Sequence, residues 1–230
     1  MWGTVLICAL LLLLVSYLVL KVLYRPLAAP KNLSLSGLHV VITGGSSGIG
    51  RSVAAICAKK QAIITIIARD QIKLKETKEE LLKLNANVHT ISADVSSVED
   101  IQRAMRESVE VAGKEIDILI CSAGATNPLN FEQLDISDFD KVMKINFLGS
   151  VNCVKAVLPS MKKRNFGRIV FVSSQVGQVG MFGYTAYAPT KFAIKGFAES
   201  LYPEVKPYNV HISVSYPPDT DTPMVFNFSS

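Results

Sequence analysis

Six short runs rich in valine and isoleucine recur along this chain with amphipathic stretches between them, and that alternation restricts it to few folds. The runs are Leu38–Thr43, Ala62–Ala68, Val88–Ser92, Ile116–Cys121, Arg168–Ser173 and Val210–Tyr216. Most of their positions are apolar, without strict alternation. Parallel strands covered on both faces read this way. The intervening spacing predicts helices over Ile49–Lys60, Gln71–Leu84, Val98–Ala112, Asp138–Met161 and Tyr187–Val205. Ser97 ahead of Asp100, and Ser137 ahead of Asp140, have capping-box spacing and predict two of the helix starts. The expected fold class is α/β, a doubly wound parallel sheet. The sequence shows no internal repeat and no low-complexity tract.

Composition narrows the function classes. The 230 residues are 49% hydrophobic and 19% charged, which excludes a disordered tail and a small disulfide-stapled module. The 24 lysines and arginines against 19 acidic residues give a net charge of +5. No arginine-rich arm accompanies that charge, so nucleic acid is not an expected partner. Cys8, Cys57, Cys121 and Cys153 form no CxxC pair and read as buried free thiols. His39, His89 and His211 lie scattered on predicted strands, so no metal site is expected.

Residues 1–20 contain no charged side chain, enough to cross a hydrocarbon core as a helix. A cleaved signal peptide competes with an uncleaved anchor, because Leu27-Ala28-Ala29 offers small residues. The missing positive n-region and the length of the run favour the anchor. Lys21, Arg25 and Lys31 follow the run and place the body in the cytosol. The sequon Asn32-Leu33-Ser34 tests this, since a glycan there requires a lumenal body. The expected organisation is a transmembrane anchor over 1–25, a linker over 26–36 and a catalytic domain over 37–230.

The first predicted strand runs into Thr43-Gly44-Gly45-Ser46-Ser47-Gly48-Ile49-Gly50, and a helix follows. Gly44 permits a sharp turn, while Gly48 and Gly50 permit backbone to approach a pyrophosphate. The helix start offers it free N–H groups. At the end of the second strand, where an NAD-selective site places a carboxylate, stand Ala68 and then Arg69. A guanidinium suits a 2′-phosphate, so NADP is favoured over NAD. Asp70, one position later, keeps the other reading open. Further along, Tyr187 and Lys191 are four apart and share one helix face. An ammonium beside a phenol lowers the phenol's pKa and makes Tyr187 a proton donor to a carbonyl oxygen. Ser173 and Ser174 end the preceding strand, where a hydroxyl can polarise that carbonyl.

These residues, with Asp94-Val95, Cys121-Ser122-Ala123-Gly124 and Asn146, resemble the short-chain dehydrogenase/reductase family over about Leu38 to Met224. The resemblance implies a Rossmann-type domain and a tetrad of Asn146, Ser174, Tyr187 and Lys191. In that scheme Tyr187 donates the proton, Ser174 positions the ketone, Lys191 binds the nicotinamide ribose and tunes Tyr187, and Asn146 holds a water. Ser174 is chosen over Ser173 because Ser174-Gln175-Val176-Gly177 matches the family's Ser-x-x-Gly. NADPH contacts are implied at Gly44, Ser46, Ser47, Gly48, Ile49, Gly50, Arg69, Asp94, Val95, Tyr187, Lys191, Thr220 and Thr222. Asp94 would meet adenine, and Thr220 and Thr222 the carboxamide.

Residues 167–178, 185–187 and 204–223 resemble one branch of that family, which reduces a long-chain lipid ketone, 3-ketosphinganine, with NADPH. That branch implies an endoplasmic reticulum membrane location with the catalytic domain facing the cytosol. Steroid or retinoid oxidoreduction is the alternative within the family. Two departures stand out: Cys121-Ser122 replaces the usual Asn-Asn, which braces the sheet, and Pro217-Pro218 replaces Pro-Gly. Ser230 comes after the sixth strand, where family members continue. The expectation is therefore a shortened C-terminus, an uncovered sheet edge that invites a homodimer, and a non-catalytic nucleotide-binding form as a third reading.

Overall fold

Burial on both faces selects the residues of the central sheet. In the computed structural model, which describes residues 10–18, 33–84 and 87–222, all five residues of β1 (His39–Thr43) are buried. The other strands are β2 (Ile63–Ala68), β3 (Asn87–Ser92), β4 (Ile118–Cys121), β5 (Gly167–Val172) and β6 (Val210–Ser215). The helices are α1 (Gly48–Lys59), α2 (Gln71–Leu82), α3 (Val98–Ala112), α4 (Ile136–Met143), α5 (Gly149–Arg164) and α6 (Tyr187–Val205). The sheet is parallel, in the order β3-β2-β1-β4-β5-β6. The doubly wound α/β expectation holds. Chain order reverses between β1 and β4, and open sheets of this kind bind ligands at such a point.

Each sheet face has its own core. Val40, Ile42, Ile64 and Ile66 meet Ala54 and Cys57 of α1 and Leu74 and Leu81 of α2. Val41, Ile67, Leu119, Ile169 and Phe171 meet α3, α5 and α6 through Ile101, Cys153, Val157 and Ile194. Cys57, Cys121 and Cys153 are buried free thiols.

Local signals explain most boundaries. The Ser97 hydroxyl accepts from the Asp100 N–H at 3.1 Å, as predicted for the start of α3. Ser137 is not a cap: α4 starts two residues earlier, capped by Asp135, and Ser137 lies in its first turn. The Asp135/Asp138 pair forms the capping box there. The predicted single helix over Asp138–Met161 is interrupted by a π-helical turn, Lys144–Leu148, between α4 and α5. Hydrophobic period does not reveal one extra residue in a turn, and π-turns concentrate at functional sites.

The chain divides into two units, Met1–Ser34 and Leu35–Ser230. In the first, residues 10–18 are helical, uncharged and exposed. Among the described residues no helix is long and apolar enough to cross a membrane. The expected anchor over 1–25 lies mostly outside those residues.

Candidate active site

The crevice opens at the carboxyl ends of β1, β4, β5 and β6. Gly44, Ser47, Gly48, Ile49 and Gly50 line it from the first turn, and Ser122, Gly124 and Thr126 from the loop after β4. Ser173, Ser174, Val176, Tyr184, Tyr187 and Lys191 line it from β5 and α6, with Pro217, Pro218, Asp219, Thr220 and Thr222 closing the other side.

The first turn requires its glycines. Gly44 has φ +67°, and a Cβ there would lie 2.8 Å from Ala123 backbone atoms. A Cβ on Gly50 would run into the Gly44 carbonyl. Bare backbone therefore faces the crevice at the start of α1, with the N–H groups and dipole that favour an anion. Thr43 pins the neighbouring loop: its hydroxyl oxygen accepts from the Ser122 N–H at 3.2 Å and the Ala123 N–H at 3.3 Å. This bracing stands where Cys121-Ser122 left the usual asparagine bonds in doubt.

Ser173 and Ser174, adjacent in sequence, are used differently. The Ser173 hydroxyl is buried and donates to the Lys191 carbonyl at 3.1 Å, which fastens β5 to α6. The Ser174 hydroxyl sits beside the Tyr187 phenol and favours its ionised form. Tyr187 is 9% exposed and packs on Tyr184, ring centroids 5.8 Å apart, above Val142, Val176 and Ala188.

Lys191 stands beside the Tyr187 ring, on the face that the spacing predicts. Lys191 Nζ donates to the Val172 carbonyl at 2.9 Å and lies 5.4 Å from the Tyr187 ring centroid. Burial pushes the phenol up to about 12; the Ser174 hydroxyl pulls the other way, and the Tyr184 and Asp219 charges add to the rise. Burial also pushes Lys191 down to about 8. Desolvation penalises both charged forms. Tyr187 is thus a protonated phenol at neutral pH, the state that a proton donor requires.

Asn146 sits in the π-turn, buried, and is not among the residues lining the crevice. Its side-chain carbonyl accepts from the Ala125 N–H at 2.7 Å, while Nδ2 donates to the Ala125 carbonyl at 2.9 Å and the Thr190 hydroxyl at 3.0 Å. Its backbone carbonyl accepts from the Ser150 hydroxyl at 2.9 Å. These bonds brace the loop after β4 against α6.

Nine of the thirteen expected cofactor contacts line the crevice: Gly44, Ser47, Gly48, Ile49, Gly50, Tyr187, Lys191, Thr220 and Thr222. Ser46 is buried and its carbonyl accepts from Thr77. Val95 is buried in the core, where a Cβ on Gly149 would lie 2.8 Å from its Cγ2. Arg69 and Asp94 are not among the lining residues and pair at 3.7 Å across the ends of β2 and β3. Asp70 is committed elsewhere, since its carboxylate accepts from the Ile72 and Lys73 N–H groups and caps α2. Sequence reasoning missed Thr126, Tyr184 and Asp219, which belong to no spacing pattern.

The chain matches the family described as short chain dehydrogenase over residues 38–230. It is 49% identical over 215 residues to a 3-ketodihydrosphingosine reductase of Mus musculus, and 46% identical over the same length to a 3-dehydrosphinganine reductase of Danio rerio. Each alignment covers 91% of this chain and 64% of the relative, so the chain spans under two thirds of those proteins. The crystal structure of levodione reductase superposes with a TM-score of 0.81 at 29% identity, covering 84% of this chain and 76% of that one. The family implies a nicotinamide dinucleotide, and the crevice fits one. Glycine backbone lines it at the first turn, a helix start faces it, and the buried Thr126 hydroxyl beside it has no partner among the described residues. The strand order, the glycine turn and the Tyr187–Lys191 pair beside Ser174 thus agree with the match along the body of the chain, which belongs to the short-chain dehydrogenase family.

Proposed function

We propose that this chain binds NADPH and reduces the keto group of 3-ketosphinganine to an alcohol at the endoplasmic reticulum membrane, its catalytic domain facing the cytosol. The observation that carries the reading is the buried Tyr187 phenol lining the crevice together with Ser174 and Lys191. The substrate class rests on the relatives named for 3-ketodihydrosphingosine and 3-dehydrosphinganine. The loop after β5 supports it: residues 173–186 contain no charged side chain, and Val179, Met181 and Phe182 are exposed. Such a rim suits an alkyl chain and a lipid surface. The uncharged run over residues 1–20 supports an anchor that keeps the enzyme where its substrate resides. A homodimer through an exposed surface belongs to the same proposal.

A nicotinamide dinucleotide held in the crevice would supply the hydride to the keto carbon. Tyr187 gives its phenolic proton to the oxygen, completing the alcohol, and Ser174 orients that oxygen by a hydrogen bond. Lys191 bears on the phenolate that remains, its ammonium held near the ring by the Val172 carbonyl. Asn146 acts as a positioning residue, holding the loop after β4 against α6. Ser47, Thr220 and Thr222 would hold the dinucleotide from either side.

NADPH is favoured by Arg69, which is 66% exposed at the end of β2, while the competing carboxylate of Asp70 is committed to its helix. The test follows NADPH absorbance on adding 3-ketosphinganine, a steroid ketone or retinal, beside dinucleotide affinities. Arg69→Asp is expected to weaken NADPH about tenfold or more and to leave NADH nearly unchanged. Equal loss of both removes Arg69 from phosphate selection, and turnover of the steroid or retinal alone removes the sphingoid substrate.

A further inference from the structure

Two side chains lining the crevice are ionisable to a cation or a carboxylate, Lys191 and Asp219. Lys191 has a partner in the Val172 carbonyl and a place beside the Tyr187 ring. Asp219 has neither: it is exposed to solvent, and among the described residues its carboxylate accepts no hydrogen bond and joins no ion pair. Its backbone is well placed. Two prolines precede it and restrict the chain, the Pro217 carbonyl accepts from the Gln175 N–H at 3.1 Å, and the Thr220 hydroxyl donates to the Pro218 carbonyl at 2.8 Å. Asp221, two residues on, is not among the lining residues.

Among the described residues no protein cation pairs with this solvated carboxylate at the crevice. The glycine turn receives an anion, and the proton donor passes through a phenolate. Asp219 is near enough to Tyr187 for its charge to oppose that phenolate. A carboxylate which the protein leaves unneutralised at the reacting end suits a cation that arrives with the substrate. The substrate class proposed above supplies one, because 3-ketosphinganine carries a primary ammonium on the carbon next to its keto carbon. The geometry points to Asp219 as a specificity-determining residue that pairs with a primary ammonium adjacent to the ketone. This inference rests on the sphingoid reading. It gives the ion pair a second consequence: the ammonium cancels the charge opposing the phenolate only while substrate is bound, so binding energy is spent where the reaction needs it.

The test compares the whole chain in detergent with its variants Asp219→Asn, Asp219→Glu and Asp221→Asn. The substrates are short-chain homologues of the amino ketone and of the same ketone without the amine. The wild-type protein is expected to prefer the amino ketone in kcat/KM. Asp219→Asn is expected to reduce that preference about tenfold, while Asp219→Glu keeps part of it and Asp221→Asn all of it. An equal loss on both ketones, or an equal effect of Asp219→Asn and Asp221→Asn, overturns the pairing. Calorimetry with the amino alcohol product and its deamino counterpart gives a readout without turnover. Asp219→Asn should erase the difference between the two, and an unchanged difference also overturns the pairing. If the wild-type protein neither reduces the amino ketone nor binds its product, the sphingoid reading falls, and the pairing with it. If it does both and Asp219→Asn keeps the full preference, the pairing alone falls.

Discussion

The two ends of the sheet treat polar groups in opposite ways. At the amino end Asp117 is nearly dry, and the chain itself satisfies it. Its carboxylate accepts from the His39 N–H at 3.0 Å and pairs with Lys114 and Arg164, both at 2.8 Å. The buried His39 ring has a partner on each nitrogen, the Lys114 carbonyl and the Thr65 hydroxyl, both at 3.0 Å. At the carboxyl end Lys191 meets a neutral carbonyl, Asp219 meets no cation, and the Thr126 hydroxyl meets nothing among the described residues. Saturated polar clusters stabilise a fold, and leaving such groups unsatisfied costs free energy. Thr126 bears that cost beside the crevice and His89 Nε2 bears it within β3, whereas the Asp219 carboxylate is exposed to solvent.

The largest expected effect breaks the comparison at its reactive end. Tyr187→Phe removes one hydroxyl from a buried ring and leaves its packing on Tyr184 and Val176 in place. Reduction should fall about a thousandfold, within the range for loss of a general acid. Dinucleotide affinity, measured by fluorescence titration, should persist. Turnover within about tenfold of the wild-type protein assigns the proton to another group.

Asp117→Asn breaks the other end. The substitution leaves Lys114 and Arg164 without their counter-charge, and unfolding in urea should show a loss of about 2 kcal/mol. That is below the range for fully buried pairs because both cations reach solvent. The pH dependence has a definite sign. Burial raises the Asp117 carboxyl, and the bonds from Lys114, His39 and Arg164 outweigh it, so its pKa lies below the ordinary value. Its contribution is therefore complete above the ordinary aspartate pKa of about 4 and lost as pH falls through the depressed value. The gap between the wild-type protein and the variant should close in acid. A gap independent of pH points to altered packing rather than to charge.

How much of this was legible in sequence depended on range. The strands were readable because burial on both faces leaves an uninterrupted apolar run, and β1 to β6 lie within two residues of their predicted ends. The glycine turn was readable because backbone shape dictates residue type there. Ser174 was separable from Ser173 only through the family pattern; the structure adds that Ser173 is committed to the Lys191 carbonyl. The rest was not local. The Tyr187–Lys191 spacing predicts a shared face, yet burial, which no spacing encodes, sets both pKa values. Asn146 was found by motif, but its bonds to Ala125 and Thr190 require three separate segments to meet. Asp219 stands in a loop whose importance comes from the crevice it closes.

The smallest expected effect sharpens the contrast, because it concerns a saturated group at the reactive end. Thr43 ends β1 at the point where chain order reverses, and its hydroxyl oxygen takes the N–H groups of both Ser122 and Ala123. Thr43→Val keeps shape and volume and leaves those two donors without their acceptor. The unfolding free energy should drop by about 1 kcal/mol. Gly44 lies against the same Ala123 backbone, so any shift of that loop moves the turn that receives the dinucleotide. Dinucleotide affinity should therefore fall severalfold together with stability, and Thr43→Ser should restore both. A stability loss with affinity intact would mean that the loop and the glycine turn move independently, and that the bracing of the sheet at this end serves the fold alone.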